Sequence, residues 1–521
     1  PILEDLLVQL PFRLFLDYLD EEGLPSWQQQ PPMISADYRR GVVRSGAGIQ
    51  AGHLFTGRDP GQIIAMGMDK TEHLRAALLA AEGLFPLDAA DFADPDLKCA
   101  ARFMAAHATD LDSQRDLLWK PVKALAERLR PLSSWLLARQ PPTVRAVAGT
   151  LHVAFIAIMI VLLHWPDATL PIRYLEGFSQ VGVLEFTGAL RDLRLDFYSL
   201  PPLSEEEVMS KAGEVIACFE SGAHKPEEDS FLWQECLRDL ERGTAGPPLS
   251  RSDMDARWGK GRWLPLPRFQ ILQASGKKRP IDDGSRHEHN DMVRYSETLD
   301  CPTATHPVIH LRALVSELED RWGPEWQQLR APGPEGPRPL VAETGTEDMP
   351  DAYRFVPVRP SELPQNVVAV WDPSTGEPRY QEIFGHVFGK SAAVINFHRL
   401  QRLLTAALRR WLALLVSFYY DDATLQDLNA SRGRGQRLLR AFFHLVGRPL
   451  SQQKQVDLQG SADYLGLCHD VTRALSDGVV SFRPRDKLSD KVASMIASFR
   501  SADWMSPAEA SKLRGVLQFM S

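Results

Sequence analysis

Residues 411–422 read WLALLVSFYYDD, an uncharged apolar run that ends on two tyrosines and two adjacent aspartates. Leu415, Val416 and Phe418 are residue types that suit a buried strand. The run predicts the first arm of a hairpin, with Asp421 and Asp422 at its turn. Adjacent strand residues point to opposite faces. One of the two carboxylates is therefore expected to take a metal while its neighbour supports from the turn. An Asp-Asp pair alone is most often a solvated turn, so the reading needs more of the chain.

Two upstream segments supply it. Residues 348–358 read DMPDAYRFVPV and residues 388–399 read FGKSAAVINFHR. Nucleotidyl transfer uses two divalent cations about 3.5–4 Å apart, one for the attacking hydroxyl and one for the leaving phosphate. Magnesium takes hard carboxylate oxygens and keeps several waters. A strand ending at Asp348, beside a hairpin carrying Asp421 and Asp422, can hold both ions. Pro350 falls within the first segment, where it is expected to interrupt strand pairing.

These pieces, in this order, resemble retroelement reverse transcriptases, and the resemblance runs from about Phe269 to the end. That family carries D-x-x-D-A-[FY]…P, then F-G-x-x-x-A-x-x-x-F-x-R, Y-x-D-D, G…S-x-x-K and [FY]-L-G. The chain supplies Asp348, Asp351, Ala352, Tyr353 and Pro357, then Phe388, Gly389, Ala393, Phe397 and Arg399. Tyr419, Asp421 and Asp422 follow, then Gly447, Ser451 and Lys454, then Tyr464, Leu465 and Gly466. Val394 stands where many relatives have proline. Upstream, residues 277–283 (KKRPIDD) resemble the basic fingers strand. Residues 512–521 resemble the start of the connection. The block from Trp165 to Gly182, with Trp258 and Arg268-Phe269, is similar to the leader of some DIRS-like elements.

The resemblance implies an RNA-directed DNA polymerase that extends a primer on an RNA or DNA template with dNTPs. It implies two Mg2+ ions, with Mn2+ as a substitute, on Asp348 and Asp421, with Asp422 assisting. Lys278 or Arg279 would hold the triphosphate. Tyr353 would stand under the sugar and reject a ribose. Phe388 and Gly389 would line the nucleotide, Gly389 letting the backbone approach the base pair. Lys454 would protonate the leaving pyrophosphate; the plain alternative is a solvated loop lysine. An RNA polymerase expects an aspartate five residues after Asp348, where Tyr353 stands. The competing reading is a catalytically inactive, element-derived protein that binds nucleic acid or a partner. No carboxylate cluster resembles a nuclease site.

The expected fold is α+β: a right-hand polymerase behind a mostly helical N-terminal region. Residues 1–245 form that region. Residues 246–345 form a fingers-like segment and linker, and residues 346–470 a palm. Residues 471–521 begin a thumb and connection, cut short at Ser521. Residues 74–84 and 116–137 have helical spacing, with Pro131 expected to break the second. Ser204 and Glu207 are spaced as a capping box. Residues 323–346 hold five Pro and four Gly, as a linker without a core would. After it, β-rich runs at 355–358, 367–371 and 415–420 alternate with helical ones at 391–411 and 435–446.

The net charge is −8, which argues against a protein that coats nucleic acid all over. It is uneven. Residues 1–250 carry 23 Lys+Arg and 35 Asp+Glu, residues 251–521 carry 36 and 32. A polyanion would meet the second half, including the basic run 432–440. The five cysteines are far apart and form no C-x-x-C, which suits a reducing intracellular compartment, nucleus or cytoplasm. The chain begins at Pro1 rather than Met, as a fragment would. The charge-free stretch 146–163 holds only 11 consecutive apolar residues, short of the roughly 20 a membrane span needs. It is expected to be a core helix, with no membrane partner. His107 and His152 read as surface or core residues rather than ligands.

Overall fold

The computed structural model describes residues 94–193, 202–222, 225–273, 276–333, 335–502 and 506–517. The helix expected at 74–84 lies outside them. The fold is α+β. Its principal elements are α1 (Pro95–Ala106), α2 (Leu111–Leu137), α3 (Val153–Leu162), α4 (Pro226–Glu241), β1 (Pro265–Leu272), β2 (Lys278–Asp282) and α5 (His306–Trp322). Then come β3 (Ala342–Asp348), β4 (Val367–Asp372), β5 (Glu377–Glu382), α6 (Ser391–Leu412), β6 (Leu415–Tyr419), β7 (Asp422–Leu428) and α7 (Arg434–Val446). The last are β8 (Val456–Gln459), β9 (Ser461–Tyr464), β10 (Leu467–Asp470), β11 (Ser481–Pro484), α8 (Asp486–Ala502) and α9 (Pro507–Leu517).

The central sheet has the order β6-β7-β3-β8 and is antiparallel throughout. Leu415, Val416, Ser417 and Phe418 are all buried, because helices cover both faces of β6. α7 presents Leu438, Leu439, Phe442, Phe443, Leu445 and Val446 on one face, the spacing of a helix laid on a core. A second sheet, β5-β4-β1-β2, pairs β4 with β1 in parallel and is backed by α4. Strands β9, β10 and β11 form a third, and α8 and α9 follow.

One hydrophobic cluster holds Leu97, Val122 and Phe155 together with Leu404, Phe418, Phe442 and Leu475. The core therefore runs across residue 245. Buried ion pairs cross it too. Arg399 makes two 2.8 Å bonds to Asp167, and Arg410 holds Asp96 at 2.8 Å. Arg115 donates to both oxygens of Asp427 at 2.6 and 2.7 Å, and to Ser431 and the Ala413 carbonyl. Ala413 ends α6 with φ 50°, a left-handed conformation costly for a residue with a Cβ, and Arg115 braces it.

Several local expectations change. α2 continues through Pro121 and Pro131. Each proline frees the carbonyl four residues earlier, on Leu117 and Glu127, and both residues are exposed, where water replaces the lost donor. The stretch 323–346 is not all linker, since β3 begins at Ala342 and is largely buried. Residues 355–358 make only isolated bridges after a 3-10 turn over Ala352–Phe355. Trp411 and Leu412 belong to α6, so the hairpin's first arm starts at Leu415. Pro350 lies beyond the end of β3 and breaks no pairing. The capping box of Ser204 and Glu207 is present.

Among the described residues no single helix is long and apolar enough to cross a membrane; Pro142–Ala148 and Val153–Leu162 qualify only as a pair, bent by 70°. Most of α3 is buried in the core. His152 is buried between Ser133 and the Ala126 carbonyl.

Candidate functional site

β3 ends at Asp348, and Asp348 pairs with Asp422 at the start of β7. Asp422 in turn pairs with Tyr419 across the hairpin, leaving Tyr420 and Asp421 as its two-residue turn. The Met349 amide donates to the Asp421 carbonyl at 2.9 Å, which ties the turn to the end of β3. Register alone thus brings the three aspartates to one edge of the sheet. Tyr420 has φ 53°, strained for a residue with a Cβ. Its ring packs edge-on against His398 and Tyr419, at 5.0 and 4.9 Å, which holds the turn.

The carboxylates have few donors. Asp348 is buried; its Oδ1 accepts from the Lys454 ammonium at 2.5 Å, and its Oδ2 has no partner. The Ser451 amide fixes the Asp348 carbonyl at 2.8 Å. Desolvation and the neighbouring Asp348 push the Asp421 carboxyl up, against the pull of Lys454 and Arg279. Desolvation, then Asp421 and Asp348, push Asp422 up to about 6. Crowded like charges of this kind favour either a proton or a bound cation.

Among the described residues no three His, Cys, Asp or Glu side chains form a ready cage for a metal. Magnesium sites at phosphates rarely have one. They use one or two carboxylates, water and substrate oxygens. The unpartnered Asp348 Oδ2 and the upward-shifted Asp421 and Asp422 suit that donor set.

The other expected residues surround this edge. β2 turns successive side chains to opposite faces. The charge of Arg279 acts on Asp421, whereas the Lys278 ammonium lies over the Phe231 ring at 5.7 Å. Arg279 itself bonds Gln273 at 3.4 Å, and its charge reaches Asp421 from there. Tyr353 meets Phe388 and Phe397 edge-on, at 4.9 and 5.5 Å. Burial first, then Tyr420 and Asp421, raise its hydroxyl well above the usual phenol range. Gly389 has φ 106°, and a Cβ there would come within 1.8 Å of the Asp282 carbonyl oxygen. The neighbour that demands glycine is therefore the end of β2.

Sequence reasoning missed two contributors. Arg354 sits inside the 348–358 segment, where the motif assigns it no role. Its guanidinium joins Asp239 and Asp282, both at distances of 3.3–3.4 Å, and Arg268 completes the buried ring. That ring fixes the residue after Tyr353 to β2. Arg485 lies beyond the motifs, yet its charge acts on Asp422. Nothing in its local sequence signals this. The basic run 432–440 offers less than expected, because Arg434 bonds Asp112 at 2.8 Å and Arg440 bonds Glu347 and Asp457 at 2.5 and 2.9 Å.

No family model matches the chain, and no curated protein matches it. Among solved structures, a foamy viral protease-reverse transcriptase in complex with double-stranded DNA is similar at 13% sequence identity and a TM-score of 0.38. The similarity covers 72% of this chain and 51% of that one, so the chain spans about half the length of this structural neighbour.

Proposed function

We propose that the chain is the polymerase part of a retroelement reverse transcriptase, extending a primer on RNA or DNA with dNTPs. The observation that carries this reading is the register of Asp348 against Asp422, with Asp421 on the turn between them and one Asp348 oxygen unpartnered. In this reading the central sheet is the palm and the mixed sheet the fingers. The three-stranded sheet, α8 and α9 lead into the thumb.

Asp348 and Asp421 would hold two Mg2+ or Mn2+ ions, with Asp422 assisting. Bound there, such ions supply charge stabilisation for the attacking 3′ oxygen and the leaving phosphate. Arg279 would grip the triphosphate from β2. Tyr353, braced by Phe388 and Phe397, would bear on the sugar. Gly389 lets the loop after Phe388 close on β2, which joins the nucleotide's two walls. Lys454 stands at the same edge, able to give a proton to the departing pyrophosphate. Its contact with Asp348 is the counter-charge it would leave.

A second reading rests on that contact. An ammonium 2.5 Å from Asp348 occupies the place of a cation, as in a protein that grips nucleic acid without polymerising. The test is primer extension by the whole chain on RNA and DNA templates, with Mg2+ or Mn2+ and a chelator control. Metal-dependent extension is expected. Tight primer–template binding with no extension under either metal would favour the second reading.

A further inference from the structure

Behind the segment that joins Asp348 to Tyr353 lies a cavity of about 400 Å3. Its walls are mostly apolar, from Met349, Phe355, Val356, Phe397 and Leu400, and Arg448 is among them. Arg448 is buried. Its Nη1 donates to Thr150 Oγ1 and the Gly447 carbonyl at 3.0 and 3.1 Å, and its Nη2 to the Phe355 carbonyl at 3.2 Å. All three acceptors are neutral. Among the described residues no carboxylate lies within ion-pair distance of it. A guanidinium has five N–H donors and keeps its charge, so two donors are left over beside a mostly apolar chamber, and the charge meets only neutral carbonyls, a hydroxyl and the Phe355 ring, whose centroid lies 5.0 Å from the guanidinium carbon. Buried arginines are ordinarily paired. The shortfall is large enough here for burial to depress even this guanidinium to about 10.

We infer that this cavity binds a small amphipathic anion, its acid group on Arg448 and its apolar body against Phe355, Phe397 and Leu400. The volume is within the range of small-molecule sites, which are apolar with a few placed polar groups. A planar carboxylate matches the guanidinium fork better than any neutral group. A nucleotide suits the site poorly, since its several phosphate charges would meet one arginine, and the other polar side chains on the walls, Thr150, Tyr174, Gln401 and His444, add no fixed positive charge. The site shares Phe397 with the packing around Tyr353 but no side chain with the aspartate cluster, and binding is read without primer extension, so the cavity is tested separately from the proposed polymerase.

The experiment is calorimetric titration of the whole chain with decanoate and with its neutral isostere, decanol. The parent should bind decanoate roughly tenfold or more tightly than decanol, as a charge-assisted hydrogen bond allows. Arg448→Met should erase that preference while keeping decanol, and Arg448→Lys should retain part of it. Leu400→Trp, which fills the chamber, should remove both ligands. If the arginine variants do not fold, the parent ratio and Leu400→Trp still decide. Equal affinity for the two probes, no binding of decanoate by the parent, or decanoate binding that survives Leu400→Trp overturns the inference.

Discussion

The two ends of β7 carry the same kind of side chain in opposite circumstances. At one end Asp427 is fully buried, bonded to Arg115 through both oxygens and to the Leu428 amide at 2.8 Å. At the other, Asp348, Asp421 and Asp422 crowd together around Lys454, and one buried oxygen has no donor. Five residues separate the ends. A carboxylate whose acceptor sites are filled stabilises a fold; one left short costs stability until a cation or proton arrives. The strand thus keeps its filled carboxylate and its crowded, short-handed ones at opposite ends.

The largest effect should come from the short-handed end. Asp421→Asn keeps volume and removes a charge from the proposed metal site. Primer extension should fall by about a thousandfold or more, while the melting temperature holds or rises, since a destabilised carboxylate is gone. Melting and extension measured on the same preparation test this. A variant that unfolds would make Asp421 structural and erase the contrast. At the filled end, Asp427→Ala should behave in reverse. It strands Arg115 in the core and should destabilise by about 3–5 kcal/mol. Denaturant unfolding reads it. Loss of a few tenths would mean that the pair merely breaks even. Because Arg115 comes from α2, the same result measures how far the N-terminal helices hold the central sheet together.

The contrast was half legible in the sequence. The site end was readable because its signals are local: Tyr419 and Asp422 flank a turn, Asp348 closes a strand, and strand register follows from alternation. Gly389 was marked as a place of close approach, though not for the neighbour it meets, because Asp282 lies more than a hundred residues away. The filled end was invisible. Arg115 and Asp427, Arg399 and Asp167, Arg354 and Asp239 are pairs between distant segments, and one sequence carries no signal for such partners. The α+β class could be read from alternating strand and helix patterns. The stretch 323–346 misled, since glycine and proline density masks the buried strand that starts at Ala342. Pro131 misled for a different reason: sequence does not reveal that the carbonyl it frees lies on an exposed residue.

Tyr353 sharpens the site end by one residue. Its ring is clasped by Phe388 and Phe397, so it can act as a wall against a ribose hydroxyl or simply as packing. Tyr353→Ala opens the wall. If the ring selects the sugar, the ratio of kcat/KM for dNTP over NTP should fall roughly tenfold or more. Replacement by Phe keeps the wall and should keep the ratio. An unchanged ratio in an active Tyr353→Ala variant would leave the residue as packing and remove it from the nucleotide side of the site.

The smallest effect is a pH dependence, and it belongs to Asp422. The residue is exposed, so water screens much of the effect, but desolvation, then Asp421 and Asp348, push its carboxyl up from 3.8 to about 6. A carboxyl raised in the folded state binds more protons folded than unfolded, between those two values. Stability from this group therefore falls as pH rises through that window and is flat above it. The sign is the reverse of an ion-paired aspartate, whose contribution is lost on acidification. Asp422→Asn should accordingly melt higher than the parent at about pH 7, and the gap should close as pH falls toward about 4. Magnesium offers the carboxylates a cation and should narrow the gap at neutral pH through binding to the parent. The measurement is the difference in melting temperature between the two proteins across that pH range, with and without Mg2+. A gap that does not change with pH would mean that Asp422 is no more crowded than an ordinary surface carboxylate, and the difference between the two ends of β7 would then rest on Asp348 and Asp421 alone.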